Sequence, residues 1–385
     1  MRSKERVLTA LNHQEPDRVP FDLSGTVDTG IHREAYANLR EYLGLESSYD
    51  PMICETLQQV VRPEEEVLRK LNVDTGGVML SDVHSLPSPE VTEEKDRLTF
   101  TDPFGVRWKK PLPDGLYFDI IEHPLDGELG VEELEGLELP DPTDPRLIED
   151  LKKRAREVAR NTDRAVILAA NDAGILERAE WMRGFKGLFE DLHRNPDRAS
   201  LLLDKLTKTH VDYWETVLDE VGHLVDVVVE ADDLGTQDRP LLNPKTYRSY
   251  IKPRHKEIID SIKRTNKNVS VFFHSCGAVR EFIPDMIEIG VDALNPVQVS
   301  ATGMDTKELK IKFGKDIAFW GGGVDTQNIL PNGSPREVKN EVKKRIEDMA
   351  SGGGMVFSAV HNIQADVPPE NILAMVEALH DYGAY

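Results

Sequence analysis

Short apolar runs alternate along most of this chain with longer stretches whose apolar positions recur every three to four residues. The first pattern predicts strands and the second amphipathic helices. The runs fall at 19–25, 73–80, 165–171, 225–230, 269–274, 293–297, 317–320 and 355–361. Helical periodicity covers 62–71, 147–160, 176–192, 196–221, 245–264, 334–350 and 368–382, and the N-terminus opens into a further amphipathic pattern. Eight strands alternating with helices predict an α/β architecture, a (β/α)8 TIM barrel. One region breaks the alternation. Residues 97–108, Arg-Leu-Thr-Phe-Thr-Asp-Pro-Phe-Gly-Val-Arg-Trp, read as a β-hairpin turning at 102–105, an insertion near 97–110. The stretch that follows, to about 145, is rich in Pro, Gly and acidic residues. We read 1–385 as one barrel domain carrying this hairpin and loop segment at about 92–145.

In such a barrel the reacting groups sit at the C-terminal ends of strands and on the loops after them. The run 269–277, Val-Ser-Val-Phe-Phe-His-Ser-Cys-Gly, therefore stands out. Residues two apart on a strand share a face, so His274 and Cys276 aim at one point. His361 ends the run 354–361 in the same way. Three soft ligands from two strands, with a fourth position open, fit a catalytic zinc. The plainer reading makes each histidine a hydrogen-bonded core or cleft residue. Cys276 is then a small hydrophobe, or a nucleophile paired with His274.

Other strand ends contribute Asp22 and Ser24, then Asn171, Asp172 and Glu177, then Glu230, Asp232 and Asp233 with Gln237. Asn295 and Gln298 follow, then Asp325 and Gln327, and finally Asn362 and Gln364. Grouped carboxylates can share a proton, bind a cation or accept from a substrate; a helix cap or a salt-bridge network is the alternative, favoured for Asp232. Cys54 reads as a partly buried thiol, and His84 is a minor candidate. The glycine clusters 321–323 and 352–354 fit neither a dinucleotide fingerprint nor a phosphate loop.

Composition narrows the partners. Lys plus Arg number 47 and Asp plus Glu 69, a formal net charge of −22. That argues against non-specific binding of nucleic acid or an anionic membrane. Two cysteines indicate no disulfide framework. No signal peptide or long apolar span is visible, and the expected location is the cytoplasm.

Four segments stand out together: the opening 2–20, Arg-Ser-Lys-Glu-Arg-Val-Leu-Thr-Ala-Leu-Asn-His-Gln-Glu-Pro-Asp-Arg-Val-Pro; 230–237, Glu-Ala-Asp-Asp-Leu-Gly-Thr-Gln; 273–277, Phe-His-Ser-Cys-Gly; and 365–372, Ala-Asp-Val-Pro-Pro-Glu-Asn-Ile. With them the chain resembles the uroporphyrinogen decarboxylase superfamily over nearly its whole length. The resemblance implies a (β/α)8 enzyme. True decarboxylases carry an Arg-Gln-Ala-Gly-Arg motif near the N-terminus. The corresponding stretch here, 21–28, Phe-Asp-Leu-Ser-Gly-Thr-Val-Asp, has no arginine, which argues against an acidic porphyrinogen as substrate.

The chain is more similar to the corrinoid-dependent methyltransferase branch, which binds zinc through a His-x-Cys pair and a later Cys. His274 and Cys276 match the pair, and His361 stands where the later Cys is expected. Trading sulfur for nitrogen makes the site more positive, which suits a Lewis-acid role on an ether or amine donor. Lys186 stands where relatives carry an acidic residue near the third strand. The resemblance thus implies methyl transfer between a small methylated compound, an O-methyl donor or similar, and a corrinoid protein. Glu177 and Asp233 would donate protons or orient substrate, and Asp22, Asn171, Gln237, Asn295 and Gln298 would contact it. The chain has no Asp-x-His-x-x-Gly motif, so the cobalamin belongs to a partner protein. Relatives suggest a monomer or homodimer. The rivals are a metal-free decarboxylase or lyase acting on a small acid, and a non-enzymatic binding module.

Overall fold

The computed structural model describes residues 1–45, 51–79, 90–169 and 173–385. Seven strands form one parallel sheet in the spatial order of the sequence: Thr75–Val78, Ala165–Ala169, Val227–Ala231, Ser270–His274, Ala293–Asn295, Ala318–Trp320 and Met355–Val356. Residues 20–22 close the ring. Phe357 N–H donates to Pro20 O and Asp22 N–H to Phe357 O, each at 2.8 Å, while Asp74 N–H donates to Phe21 O at 2.8 Å. The chain is a (β/α)8 barrel whose first stave is this short closing segment.

The predicted strand at 19–25 is thus longer than the observed one. The chain leaves the ladder after Asp22, because Ser24 takes a left-handed φ of 65° and its N–H turns to Thr29 O. The predicted helix 176–192 is two helices, Ile175–Arg183 and Phe185–Arg194, interrupted at Gly184. The hairpin forms as expected, with Phe100 opposite Trp108, and belongs to a four-stranded antiparallel sheet that adds Thr92–Glu94 and Asp119–Glu122. Asp102 fixes its turn by accepting from Phe104 N–H at 2.9 Å and Val106 N–H at 3.0 Å. Among the described residues no helix is long and apolar enough to cross a membrane.

Period-two alternation sets what faces the barrel axis. Ala165, Ile167, Val227, Val229, Phe272, Ala293, Ala318, Trp320 and Val356 point inward and pack together. The intervening Val166, Val228, Val271, Phe273, Leu294 and Phe319 pack outward against the helices. The N-terminal helix Ser3–Leu11 plugs the lower end with Val7, Ala10 and Leu11. Burying a leucine or valine this way contributes roughly 1.5–3 kcal/mol. Asp74 stitches plug to barrel, accepting from Arg6 Nη1 at 2.6 Å, Arg18 Nη1 at 2.7 Å and Phe21 N–H at 2.8 Å. With the lower end sealed, the upper end is left for chemistry.

Candidate active site

His274 shares the inward parity of Phe272 and so caps the interior stack at the upper end. Its orientation is fixed from below. Asn295 Nδ2 donates to Trp320 O at 2.9 Å, which turns Asn295 Oδ1 towards His274 Nδ1 at 2.6 Å. An amide oxygen only accepts, so the imidazole proton sits on Nδ1 and Nε2 presents a lone pair. That Nε2 lies 3.4 Å from Cys276 Sγ. His361 is held in the same sense. Its Nδ1 meets Asn362 Oδ1 at 3.0 Å, and Asn362 Nδ2 donates to Gln58 Oε1 at 2.8 Å. The two imidazole rings stand 5.4 Å apart between centres, at 73° to one another. One ligand atom from each of His274, Cys276 and His361 falls within 4.8 Å of the other two.

The loop bearing Cys276 is pinned from three sides. Cys276 N–H donates to Asp233 Oδ1 at 2.7 Å and Gly277 N–H to Gln298 Oε1 at 2.7 Å. Gly277 has φ 88°, and a Cβ there would press into the backbone of Gly235, so only glycine fits. Gln298 Nε2 donates in turn to Gln237 Oε1 at 2.9 Å, and Gln237 Nε2 to Ser300 O at 2.6 Å. The two glutamines that the sequence marks for substrate contact are therefore engaged in holding this loop. Gln298→Leu keeps the volume but leaves the buried Gly277 N–H unpaired. It is expected to cost about 1–3 kcal/mol in chemical denaturation, and a wild-type stability would refute that role.

Carboxylates surround these three side chains. Asp28 Oδ2 is 3.6 Å from His274 Nδ1 and its Oδ1 is 3.8 Å from His361 Nε2. Asp233 Oδ1 is 3.9 Å from His274 Nε2. Burial first, then Asp233, Asp28 and Glu177, push the Cys276 thiol well above its ordinary pKa. Burial, then the neighbouring His274, lowers that of His361, so the ring is neutral. A protonated thiol and a neutral imidazole amid carboxylates make a site short of positive charge, and a bound cation would supply it.

Glu177 lies in the first turn of Ile175–Arg183. Asp232 fixes that helix start, its carboxylate accepting from Leu176 N–H and Glu177 N–H, both at 2.8 Å, and facing His255 Nε2 at 2.9 Å. Asp232 thus caps a helix, while Asp233 turns to His274 and Cys276. Burial, then the charges of Asp233, Asp232 and Glu180, raise Glu177 well above the carboxylate range, and Glu180 rises to about 8 for similar reasons.

Asp22 is 1% exposed, and its oxygens accept from Thr75 Oγ1 at 2.5 Å, Gly25 N–H at 2.8 Å and Trp320 Nε1 at 2.8 Å. It anchors the barrel interior instead of facing substrate, because the first stave bends away immediately after it. Asn295 is fully buried, and it orients His274 instead of a ligand. Glu230 faces outward to His210 and Trp214. Asn171, Asp172 and His84 lie outside the described residues. Asp28, Gln58 and Asn362 join the site without having been assigned a part by sequence reasoning. For Asn362 the signal existed, since it follows His361 at a strand end.

The family described as uroporphyrinogen decarboxylase (URO-D) matches residues 123–382. A uroporphyrinogen decarboxylase of Pseudoalteromonas atlantica is 24% identical over 394 residues, covering 99% of this chain and 97% of the relative. One of Geobacter sulfurreducens is 24% identical, covering 91% and 93%. Among solved structures, a methyltransferase from Methanosarcina mazei superposes with a TM-score of 0.66 at 20% identity, covering 99% of both chains. That likeness is one of fold.

Proposed function

The chain belongs to the uroporphyrinogen decarboxylase family, and from that premise we propose that it is a zinc-dependent methyltransferase of a corrinoid system. It would take a methyl group from a small O-methyl compound or similar donor and pass it to the corrinoid of a partner protein. The observation that carries this reading is the convergence of His274, Cys276 and His361 within 4.8 Å at the upper end of a barrel plugged at the other. Nε2 of both histidines and Sγ of Cys276 would hold the metal, two nitrogens and one sulfur in a carboxylate-rich surround, a donor set that suits zinc. Bound there, zinc supplies Lewis-acid polarisation of the donor's oxygen.

The chain's own groups account for the rest. Asn295 and Asn362 keep the imidazole protons on Nδ1 and the lone pairs on Nε2, as outer partners of metal ligands do. Asp233 and Gln298 hold the Cys276 loop. The reduced corrinoid of the partner would be the acceptor of the methyl group, and the electrons of the methyl–oxygen bond would stay on oxygen. Glu177, kept protonated by burial, gives that oxygen its proton.

A metal assay tests the reading. Purified protein reconstituted with zinc is expected to hold about one ion per chain. Cys276→Ala and His361→Ala are expected to lose it, with circular dichroism unchanged. No bound zinc in the wild-type protein would overturn the proposal. A second reading, a decarboxylase or lyase acting on a small acid, is favoured by the full-length similarity to proteins named uroporphyrinogen decarboxylase. It predicts no need for zinc, and decarboxylation that survives Cys276→Ala.

A further inference from the structure

Among the described residues no hydrogen bond or ion pair reaches the Glu177 carboxyl; what is held is its backbone N–H. Its place is therefore set through the helix start, by the Asp232 carboxylate that accepts from Leu176 N–H and Glu177 N–H. Asp232 is fully buried, and its own N–H donates to His274 O at 2.9 Å. One residue thus ties the start of the Glu177 helix to the strand end that carries His274. A carboxylate this deep depends on every donor it has. The third donor is His255, whose Nε2 lies 2.9 Å from Asp232 Oδ2. The His255 ring is 3% exposed and meets Phe273, the residue before His274, at 5.1 Å between centres.

The proton on His255 is aimed from behind. Tyr247 Oη stands 3.4 Å from His255 Nδ1. Tyr247 is fully buried, and burial first, then Asp285 and Asp232, push its phenol upward, so the hydroxyl keeps its proton and donates. Nδ1 accepts, which leaves the ring proton on Nε2, facing Asp232. The two residues are eight apart, whereas an α-helix aligns positions seven apart. The helix that bears them takes up the extra residue by widening into a π turn, Tyr247–Ile251, before continuing as Lys252–Thr265. That turn is anchored on its outer side. Arg248 Nη2 and Lys252 Nζ donate to Asp285 at 2.9 and 2.8 Å, and the Phe282 ring packs 4.7 Å from that of Tyr247. An apolar side chain would fill the place of His255 equally well, but it would aim no proton at Asp232.

We propose that His255, backed by Tyr247, is a positioning residue for Glu177: it holds the Asp232 carboxylate against the helix start and so fixes where the Glu177 carboxyl stands beside Asp233 and Cys276. Neither His255 nor Tyr247 touches the reacting atoms. The inference rests on the methyltransferase reading only for the reaction that Glu177 serves.

Amide hydrogen exchange and methyl transfer are measured on the zinc-loaded full-length protein. His255→Phe keeps a ring and removes both nitrogens. Exchange at Leu176 and Glu177 is expected to quicken about tenfold or more, as befits a lost hydrogen bond to a charged group. Single-turnover transfer from methoxybenzene to free cob(I)alamin, read as methylcob(III)alamin formed, is expected to slow about tenfold or more. Zinc content and the methoxybenzene concentration at half-maximal rate stay within about twofold of wild type. His255→Gln, which keeps an N–H for Asp232, restores most of both losses. Combined with Glu177→Gln, His255→Phe slows transfer no further, because the group it serves is gone. Should His255→Phe fail to fold, Tyr247→Phe takes its place, with smaller changes of the same sign. Unchanged exchange at Leu176 and Glu177 overturns the proposal. So does transfer at full rate despite faster exchange, and so does a loss that multiplies with that of Glu177→Gln. If wild-type protein forms no methylcob(III)alamin while exchange quickens and His255→Gln restores it, the positioning stands and the methyltransferase reading falls.

Discussion

Glu177→Gln is expected to lower the rate of methyl transfer about 10²- to 10⁴-fold, the range of a lost general acid, while zinc content and stability stay near wild type. The substitution keeps the shape and a hydrogen-bond donor but removes the transferable proton. The expected pH profile follows from the environment of the carboxyl. Burial and the charges of Asp233, Asp232 and Glu180 raise its pKa well above the usual range. The acid form therefore persists at neutral pH, and transfer declines as pH rises through the raised value. In the Gln variant that alkaline limb should be gone and the residual rate flat across it. Single-turnover transfer from a methoxylated donor to reduced corrinoid protein, measured from acid to alkaline pH in both proteins, decides the matter. A variant within threefold of wild type, or one that keeps the limb, removes Glu177 as the proton donor. Glu180 is the natural successor, since it lies one helical turn on and its carboxyl is raised to about 8.

Much of this arrangement was legible in the chain. Alternation along 269–277 put His274 and Cys276 on one face, and the strand-end rule brought His361 to them across the barrel. Those inferences use only local geometry and one fold-level rule. The misreadings arose where local rules give out. Asp22 carries the right parity, but the bend at Ser24 turns the chain from the barrel mouth and leaves its carboxylate to Trp320 and Thr75. The same bend, which no apolar pattern announces, carries Asp28 back to the two histidines. Gln237 and Gln298 were credible substrate contacts until their amides met each other, an encounter of two loops that are 61 residues apart in sequence.

The substitution expected to do most damage lies outside the trio of His274, Cys276 and His361. Gly174 precedes the helix Ile175–Arg183 and has an ordinary negative φ of −76°, so conformation does not demand glycine there. Space does. A Cβ would overlap the carbonyl of Ala231, the last residue of the fourth stave, and come within 2.6 Å of Asp232 Cγ. In Gly174→Ala the helix start and the strand end must move apart. Overpacking of this kind costs about 1–3 kcal/mol, and more where backbone must shift. The separation also stretches the bonds from Leu176 N–H and Glu177 N–H to Asp232, each worth roughly 1.5–3 kcal/mol as hydrogen bonds to a charged group. The expected loss is at least about 4 kcal/mol, a large part of the roughly 5–15 kcal/mol by which domains are stable. Chemical denaturation of Gly174→Ala beside Gln298→Leu should rank the first well below the second. If Gly174→Ala unfolds within about 1 kcal/mol of wild type, the helix and the strand are not in the contact described. Glu177 would then owe its place to something other than Asp232, because the same close approach that excludes a methyl group at Gly174 sets the helix start, and with it the Glu177 carboxyl, beside Asp233 and Cys276.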